Sequence, residues 1–280
     1  MVRGLYTGAS GMVANLKSMD SIANNLSNVN TIGYKKDNTI FKSFPEMLIR
    51  RFNDNGVHKF PLGSWDSRPV VGKLGTGVEV NEVFTNLEQS GVKKTENKLD
   101  LALDGKGFFV IKTDTGEKFT RNGEFTIDKN NFLVTKRGEK VLGENGYIKL
   151  KTNNFTINSK GEIYLNKEID KQKFVQMNEN AWDKTNFVDT LKLVDFKKSR
   201  YLKKVGNSFF TKNDLTGEPI LLNKGNTKVL SGSLETSNVN PVKQMVKMIE
   251  VQRSYEANQK TIKSHDELLS KLINEMGSVR

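Results

Sequence analysis

No cysteine occurs among the 280 residues, so disulfides, thiolate metal sites and cysteine nucleophiles are excluded. Histidine is nearly as scarce. His58, in an expected loop, and His265, on an expected helix, are the only two, which leaves no basis for a zinc cluster or a Ser-His-Asp constellation. No apolar run reaches the roughly 18 residues that a membrane-spanning helix needs. At the N-terminus, Ser10, Asn15, Lys17, Ser18, Asp20 and Ser21 interrupt what would be the apolar core of a secretory signal, so no cleaved signal peptide is expected.

What remains is a folded, soluble composition on the polar side of average, 36% hydrophobic and 27% charged. The length suits one large domain or two to three small ones. The net charge of +12 is the compositional feature that suggests a partner. Its densest run is Lys197, Lys198, Arg200, Lys203 and Lys204. That run reads either as a phosphate-contacting patch, with Phe196 and Tyr201 beside it, or as a strand edge guarded by lysine.

The longest uninterrupted helical pattern begins at Pro241, whose missing N–H suits a first helical position, with Asn240 before it as N-cap. Met248, Val251, Tyr255, Asn258, Ile262, His265, Leu269, Leu272 and Met276 then alternate in steps of three and four up to Gly277. A helix of about 50 Å needs a partner along its length. The other end of the chain supplies one in Leu5, Ala9, Met12, Leu16, Met19, Ala23 and Leu26, again at steps of four and three. The two seams either pack on a common globular core or pair with each other. The strand-like material between them, with its own apolar residues, favours the pair. Val242, Met245, Val246 and Ile249 form a second apolar strip that drifts out of register with the first.

The first seam runs into Asn24, Asn25, Asn28 and Asn30, which suit a helix end closed by Gly33. The Asn-Val-Asn triplet returns at Asn238-Val239-Asn240. Residues 36–80 are rich in proline and glycine and read as loop, with Phe41, Phe44, Met47, Leu48, Ile49 and Phe52 left open between a short helix and an apolar patch. Gly72, Gly75 and Gly77 lack the lysine and hydroxyl of a phosphate loop and read as turns. From about 81 onward, strands are expected at Leu101 to Leu103, Phe108 to Thr113, Glu117 to Arg121, Glu124 to Asp128, Phe132 to Thr135 and Val141 to Gly143. They are punctuated by Asp104-Gly105, Thr115-Gly116, Asn122-Gly123, Arg137-Gly138 and Asn145-Gly146. Further strands are expected at Asn154 to Asn158, Glu162 to Leu165, Leu191 to Phe196, Asn207 to Lys212 and Lys228 to Leu234. The stretch 166–186, with Trp182, reads as distinguishing loops. Asp100 and Asp104 would share a strand face about 13 Å apart, and Asp104-Gly105 is an ordinary turn dipeptide, so their spacing gives no support to an acid/base pair.

Ile22 to Lys35, read with Gly232 to Val242 and Met245 to Asn258, resembles the bacterial flagellar basal-body rod and hook family. Leu99 to Val110, Phe119 to Phe125 and Leu133 to Gly138 are similar to the same family's central module, although Asn131 stands where the family usually has glycine. The resemblance implies a structural subunit of the flagellar rod, polymerising into the shaft that transmits torque from motor to hook. In it the terminal helices line an inner tube and the β domain lies outside. It also implies a periplasmic location, export without a cleaved signal through the flagellum's own apparatus, and terminal segments ordered on assembly. Gly143, Gly146 and Ile273 to Gly277 look like the proximal-rod branch, which is preferred, whereas Leu74 to Val78 look like the distal-rod branch.

The expected fold is α+β, with N- and C-terminal helices pairing as an antiparallel coiled-coil-like stalk and a central antiparallel β-rich domain of barrel or sandwich type. The expected segments are 1–35, a loop-rich connector 36–80, the β-rich domain 81–235, and 236–280. Assembly residues are expected at Leu5, Met12, Leu16, Met19, Asn24, Asn25, Leu26, Asn28, Asn30, Asn238, Asn240, Val242, Met245, Ile249, Gln252, Tyr255, Ile262 and Leu269. The expected partners are copies of the chain and other rod, hook-basal-body and export proteins. No cofactor, metal, catalytic residue, small-molecule substrate or specific nucleic acid is expected. The alternatives are a distal-rod or hook-type subunit and, outside the family, a basic nucleic-acid-binding module.

Overall fold

The computed structural model describes residues 2–52, 57–66, 68–150, 155–166, 185–206, 208–222 and 227–277. The architecture is α+β: helix α1, Val2–Ser27, and helix α2, Pro241–Gly277, bracket a long series of strands. The chain packs as two compact units. One gathers Met1–Asn24, Asp37–Phe84 and Val242–Arg280; the other gathers Asn25–Lys36 and Thr85–Pro241. The expected connector thus belongs with the helices, and the turn after α1 belongs with the β-rich unit.

In the first unit, α2 begins at Pro241 as expected and its 37 residues span about 55 Å. The segment 36–80 is not loop. Asp37–Ser43 pairs with Val78–Thr85, Met47–Arg50 with Val70–Leu74, and Val57–Phe60 with Gly63–Asp66. Pro45, Pro61 and Pro69 lie between these short strands, where a missing N–H removes no ladder bond, and their density masks the strands in the sequence.

The β-rich unit opens with the end of α1, which stops at Ser27 rather than running to Gly33. Asn28, Val29 and Thr31 continue as turns, their N–H groups donating to carbonyls three residues back. Among the described residues the main sheet has nine antiparallel strands. Its path runs Phe125–Ile127, Leu133–Thr135, Lys140–Val141, Phe108–Thr113, Gly116–Thr120, Phe209–Thr211, Lys203–Lys204. Leu193–Asp195 also pairs with Phe108–Thr113 and carries Ile220–Leu221. Successive side chains of a strand point to opposite faces, and Phe108–Thr113 buries both. Phe109 and Ile111 join Leu133, Val141 and Ile163 in one core layer; Phe108 and Val110 join Phe119, Phe196 and Phe210 in the other. Edge-to-face contacts such as Phe119 on Phe196, with centroids 4.8 Å apart, add about 0.5–1.5 kcal/mol each.

A three-stranded sheet, Phe155–Ile157, Glu162–Asn166 and Thr185–Thr190, completes the larger layer, and its third strand has no counterpart in the sequence reading. Trp182 lies outside the described residues. The single strand expected over Lys228 to Leu234 divides at Gly232, where φ is +71°: Lys228–Ser231 pairs with Leu101–Asp104, and Ser233–Glu235 with Val92–Lys94. Asn131 takes φ +65°, the left-handed conformation that asparagine tolerates in place of glycine.

Candidate assembly face and buried junction

The helices of the first unit contact each other antiparallel. Gly4 lies against His265, Gly8 against Ile262 and Gly11 against Asn258, while Asn15 Nδ2 donates to Ser254 Oγ at 3.1 Å. On α2 the contact stripe agrees with the sequence reading, since Met248, Val251, Tyr255, Asn258, Ile262, His265 and Leu269 are its half-buried positions. On α1 it does not. The residues against α2 are Gly4, Gly8, Gly11 and Asn15, and Ser18 and Ile22 continue the same spacing as buried positions, each one position before the expected Leu5, Ala9, Met12, Leu16, Met19 and Ala23. One residue rotates a helix face by about 100°. The cause is steric: glycine, alanine and serine let the backbones approach, and the larger apolar side chains are displaced to the flanks.

That displacement leaves apolar surface uncovered. Leu16 is exposed, as are Val13 on α1 and Val242, Met245, Val246 and Ile249 on α2. Leu5, Met12, Met19, Leu26, Tyr255, Ile262 and Leu269 are half-buried, and Gln252 is exposed and polar. In the same unit Met47, Leu48 and Ile49 are exposed along one strand, with Val70 and Val71 exposed on its partner. A groove of about 410 Å³ opens beside the helices, lined in part by Thr7, Gly11, Ala14, Phe41 and Val78.

The asparagines expected at an assembly surface divide. Asn24, Asn30 and Asn240 are exposed. Asn25, Asn28 and Asn238 are engaged inside the β-rich unit. Buried Asn25 accepts from the Tyr34 hydroxyl at 3.1 Å, and Asn28 accepts from Thr31 Oγ1. Asn238 Oδ1 accepts from Lys36 N at 2.7 Å while its Nδ2 donates to the Asn86 carbonyl at 2.9 Å. These three join stretches of one subunit.

Beside them lies an ionic junction to which the sequence reading assigned no role. Glu235, Lys35 and Arg121 are all buried, Glu235 and Lys35 with no exposed surface. Lys35 Nζ stands 2.5 Å from Glu235 Oε1 and also donates to the Glu88 carbonyl at 2.7 Å. Arg121 reaches Glu235 Oε2 at 3.3 Å and the Gly105 carbonyl at 2.9 Å. Ser90 donates to Glu235 Oε1 through its backbone N–H at 3.1 Å and its hydroxyl at 3.3 Å. The backbone shares in it: Gly33 N–H donates to the Glu235 carbonyl at 2.8 Å. Burial pushes the Lys35 ammonium below its ordinary pKa, against the opposing pull of Glu235. The only sequence signal was an acid in a strand of otherwise small and apolar residues, Ser233–Glu235.

Of the two aromatics beside the basic run, Tyr201 is exposed and Phe196 is not. Lys203–Lys204 is the edge strand of the main sheet, Phe196 is buried in the core, and Lys204 turns inward, donating to the Lys35 carbonyl and standing 4.2 Å over the Tyr34 ring. Asp100 is buried and accepts from Asn97, while Asp104 is exposed and accepts from Gln89. No group of three or more metal-ligating side chains forms among the described residues, and no described helix is long and apolar enough to cross a membrane.

Paired terminal helices with uncovered apolar flanks in one unit, and an inaccessible ionic junction within the β-rich unit, are the features of a structural protein. Family models agree along the chain. The flagella basal body rod protein model matches residues 5–35, the flagellar hook protein FlgE/F/G D1 domain matches 102–165, and the flagellar basal body rod FlgEFG protein C-terminal model matches 230–275. The flagellar basal-body rod protein FlgG of Bacillus subtilis (strain 168) is 34% identical, covering 98% of this chain and 99% of its own. That of Borreliella burgdorferi is 32% identical over 96% and 97%. The flagellar hook-basal body complex protein FlhO of B. subtilis is 30% identical over the whole of both chains. The chain therefore belongs to the flagellar basal-body rod and hook family, and is a non-enzymatic structural subunit of the flagellar basal body.

Proposed function

We propose that this chain is a distal-rod subunit that polymerises with copies of itself through its terminal helices, forming part of the shaft that carries torque from motor to hook. The observation that carries the distal position is alignment over nearly the full length with proteins named FlgG. The segment Leu74 to Val78 supports the same branch. The proximal preference drawn from Gly143, Gly146 and Ile273 to Gly277 has no such support among these relatives.

Polymerisation follows from the uncovered strips. A helix that buries one face on its partner and leaves a second apolar strip in water gains by covering it with a neighbouring subunit. The strip on α2 and the α1 flank are different surfaces, so contact between them is head-to-tail, and where the rotation between neighbours does not close on itself such contacts build an open helical assembly, the form a shaft requires. The neighbours are other rod, hook-basal-body and export proteins at the ends of the run, and copies of the chain within it. Delivery is through the flagellar export apparatus without cleavage of a signal.

Basal bodies from cells lacking this gene test the reading. The expected result is an axle that begins normally and stops before the hook. An axle missing from its base would move the chain to the proximal rod. Mass measurement of the subunit recovered from complemented basal bodies should give the uncleaved chain.

A further inference from the structure

The α1 and α2 seams repeat every seven residues: Gly4, Gly11 and Ser18 on one helix, Val251, Asn258 and His265 on the other. Such a pair is degenerate. A slip of one heptad, about 10 Å, brings small residues opposite large ones again. Something outside the seam has to choose the register.

The buried junction has the properties of such a device. Its members come from the chain just after α1 (Gly33, Lys35, Lys36), from the chain just before α2 (Glu235, Asn238) and from the β framework (Glu88, Ser90, Arg121). The Glu235 carboxylate is satisfied only when all three groups are in place at once. Buried ion pairs are poor sources of net stability, because desolvating each charge offsets most of the attraction; their best-attested use is to specify a register. An apolar junction could slide, whereas a displaced Glu235 would leave two buried cations with only carbonyl partners and no counter-charge.

We infer that the Lys35–Glu235–Arg121 network is a register latch, clamping the chain leaving α1 to the chain entering α2 so that the degenerate helix pair closes in one alignment. This goes beyond the rod reading and stands independently of it, because it concerns the fold of a single subunit.

The absence of native cysteine gives a direct test on the full chain. Asn15→Cys with Ser254→Cys reports the observed register, and Asn15→Cys with Thr261→Cys reports a one-heptad slip. With Glu235 intact, the first pair should oxidise and the second should not. In Glu235→Leu, and in the milder Glu235→Gln should the first variant not fold, the slipped pair should crosslink at least tenfold more than with the latch intact. Amide exchange of Ile111 and Leu133, in the core of the β-rich unit, is read alongside and should stay protected. Crosslinking confined to the observed register after the latch is broken would overturn the inference. Loss of core protection in both variants would also overturn it, since Glu235 would then serve general stability.

Discussion

Gly8 of α1 packs directly against Ile262 of α2: a Cβ at position 8 would stand 3.0 Å from Ile262 Cγ1. The large apolar residues of α1 are pushed to the flanks because its glycines hold this line of contact. Gly8→Leu should therefore destabilise the helix pair by about 1–3 kcal/mol, as overpacking does. The exposed Lys17→Leu should stay within about 0.5 kcal/mol of the parent. Urea melts followed by far-UV circular dichroism separate the two.

Gly123 crosses the backbone of Leu101 so closely that a Cβ there would fall 1.7 Å from the Leu101 carbonyl oxygen, and Leu101 N–H donates to the Gly123 carbonyl at 3.0 Å. No side-chain movement relieves a clash with backbone. Gly123→Ala should cost more than about 3 kcal/mol and lower the denaturation midpoint of the β-rich unit. Gly116→Ala, at an open turn with φ +112°, should cost only the roughly 1–2 kcal/mol of a strained conformation.

Lys35 makes an alkaline prediction. Its folded pKa lies below the ordinary lysine value of 10.5, because burial outweighs the pull of Glu235. Between the two values the unfolded chain holds the proton that the folded chain has released, so stability rises with pH across that window. Lys35→Met should remove this rise. Tyr164, whose hydroxyl bonded to Glu162 has a raised pKa, slopes stability the other way above its ordinary value of 10.0. The difference between parent and Lys35→Met, both carrying Tyr164, isolates the lysine contribution.

Legibility in the sequence followed side-chain size and local chemistry. The seam of α2 was readable because its positions carry large residues such as Met248, Tyr255 and Leu269. The seam of α1 was misplaced by one residue because its contact positions are Gly4, Gly8 and Gly11, which no hydrophobic period detects. Turn dipeptides located most of the β-rich strands, since Asp-Gly and Asn-Gly force local backbone geometry. The ribbons within 36–80 were hidden by Pro45, Pro61 and Pro69, which signal turns and give no sign of how short the strands between them are. The Lys35–Glu235 pair spans 200 positions, and nothing local to either residue announces the other.

The central claim is that the apolar strip left open on α2 drives assembly. The direct measurement is sedimentation and electron microscopy of full-length protein carrying Met245→Asp and Ile249→Asp, both exposed in the subunit. The account predicts a chain with unchanged helix content and an intact β-rich core that stays monomeric where the parent polymerises. Filaments formed by the variant as readily as by the parent would contradict it.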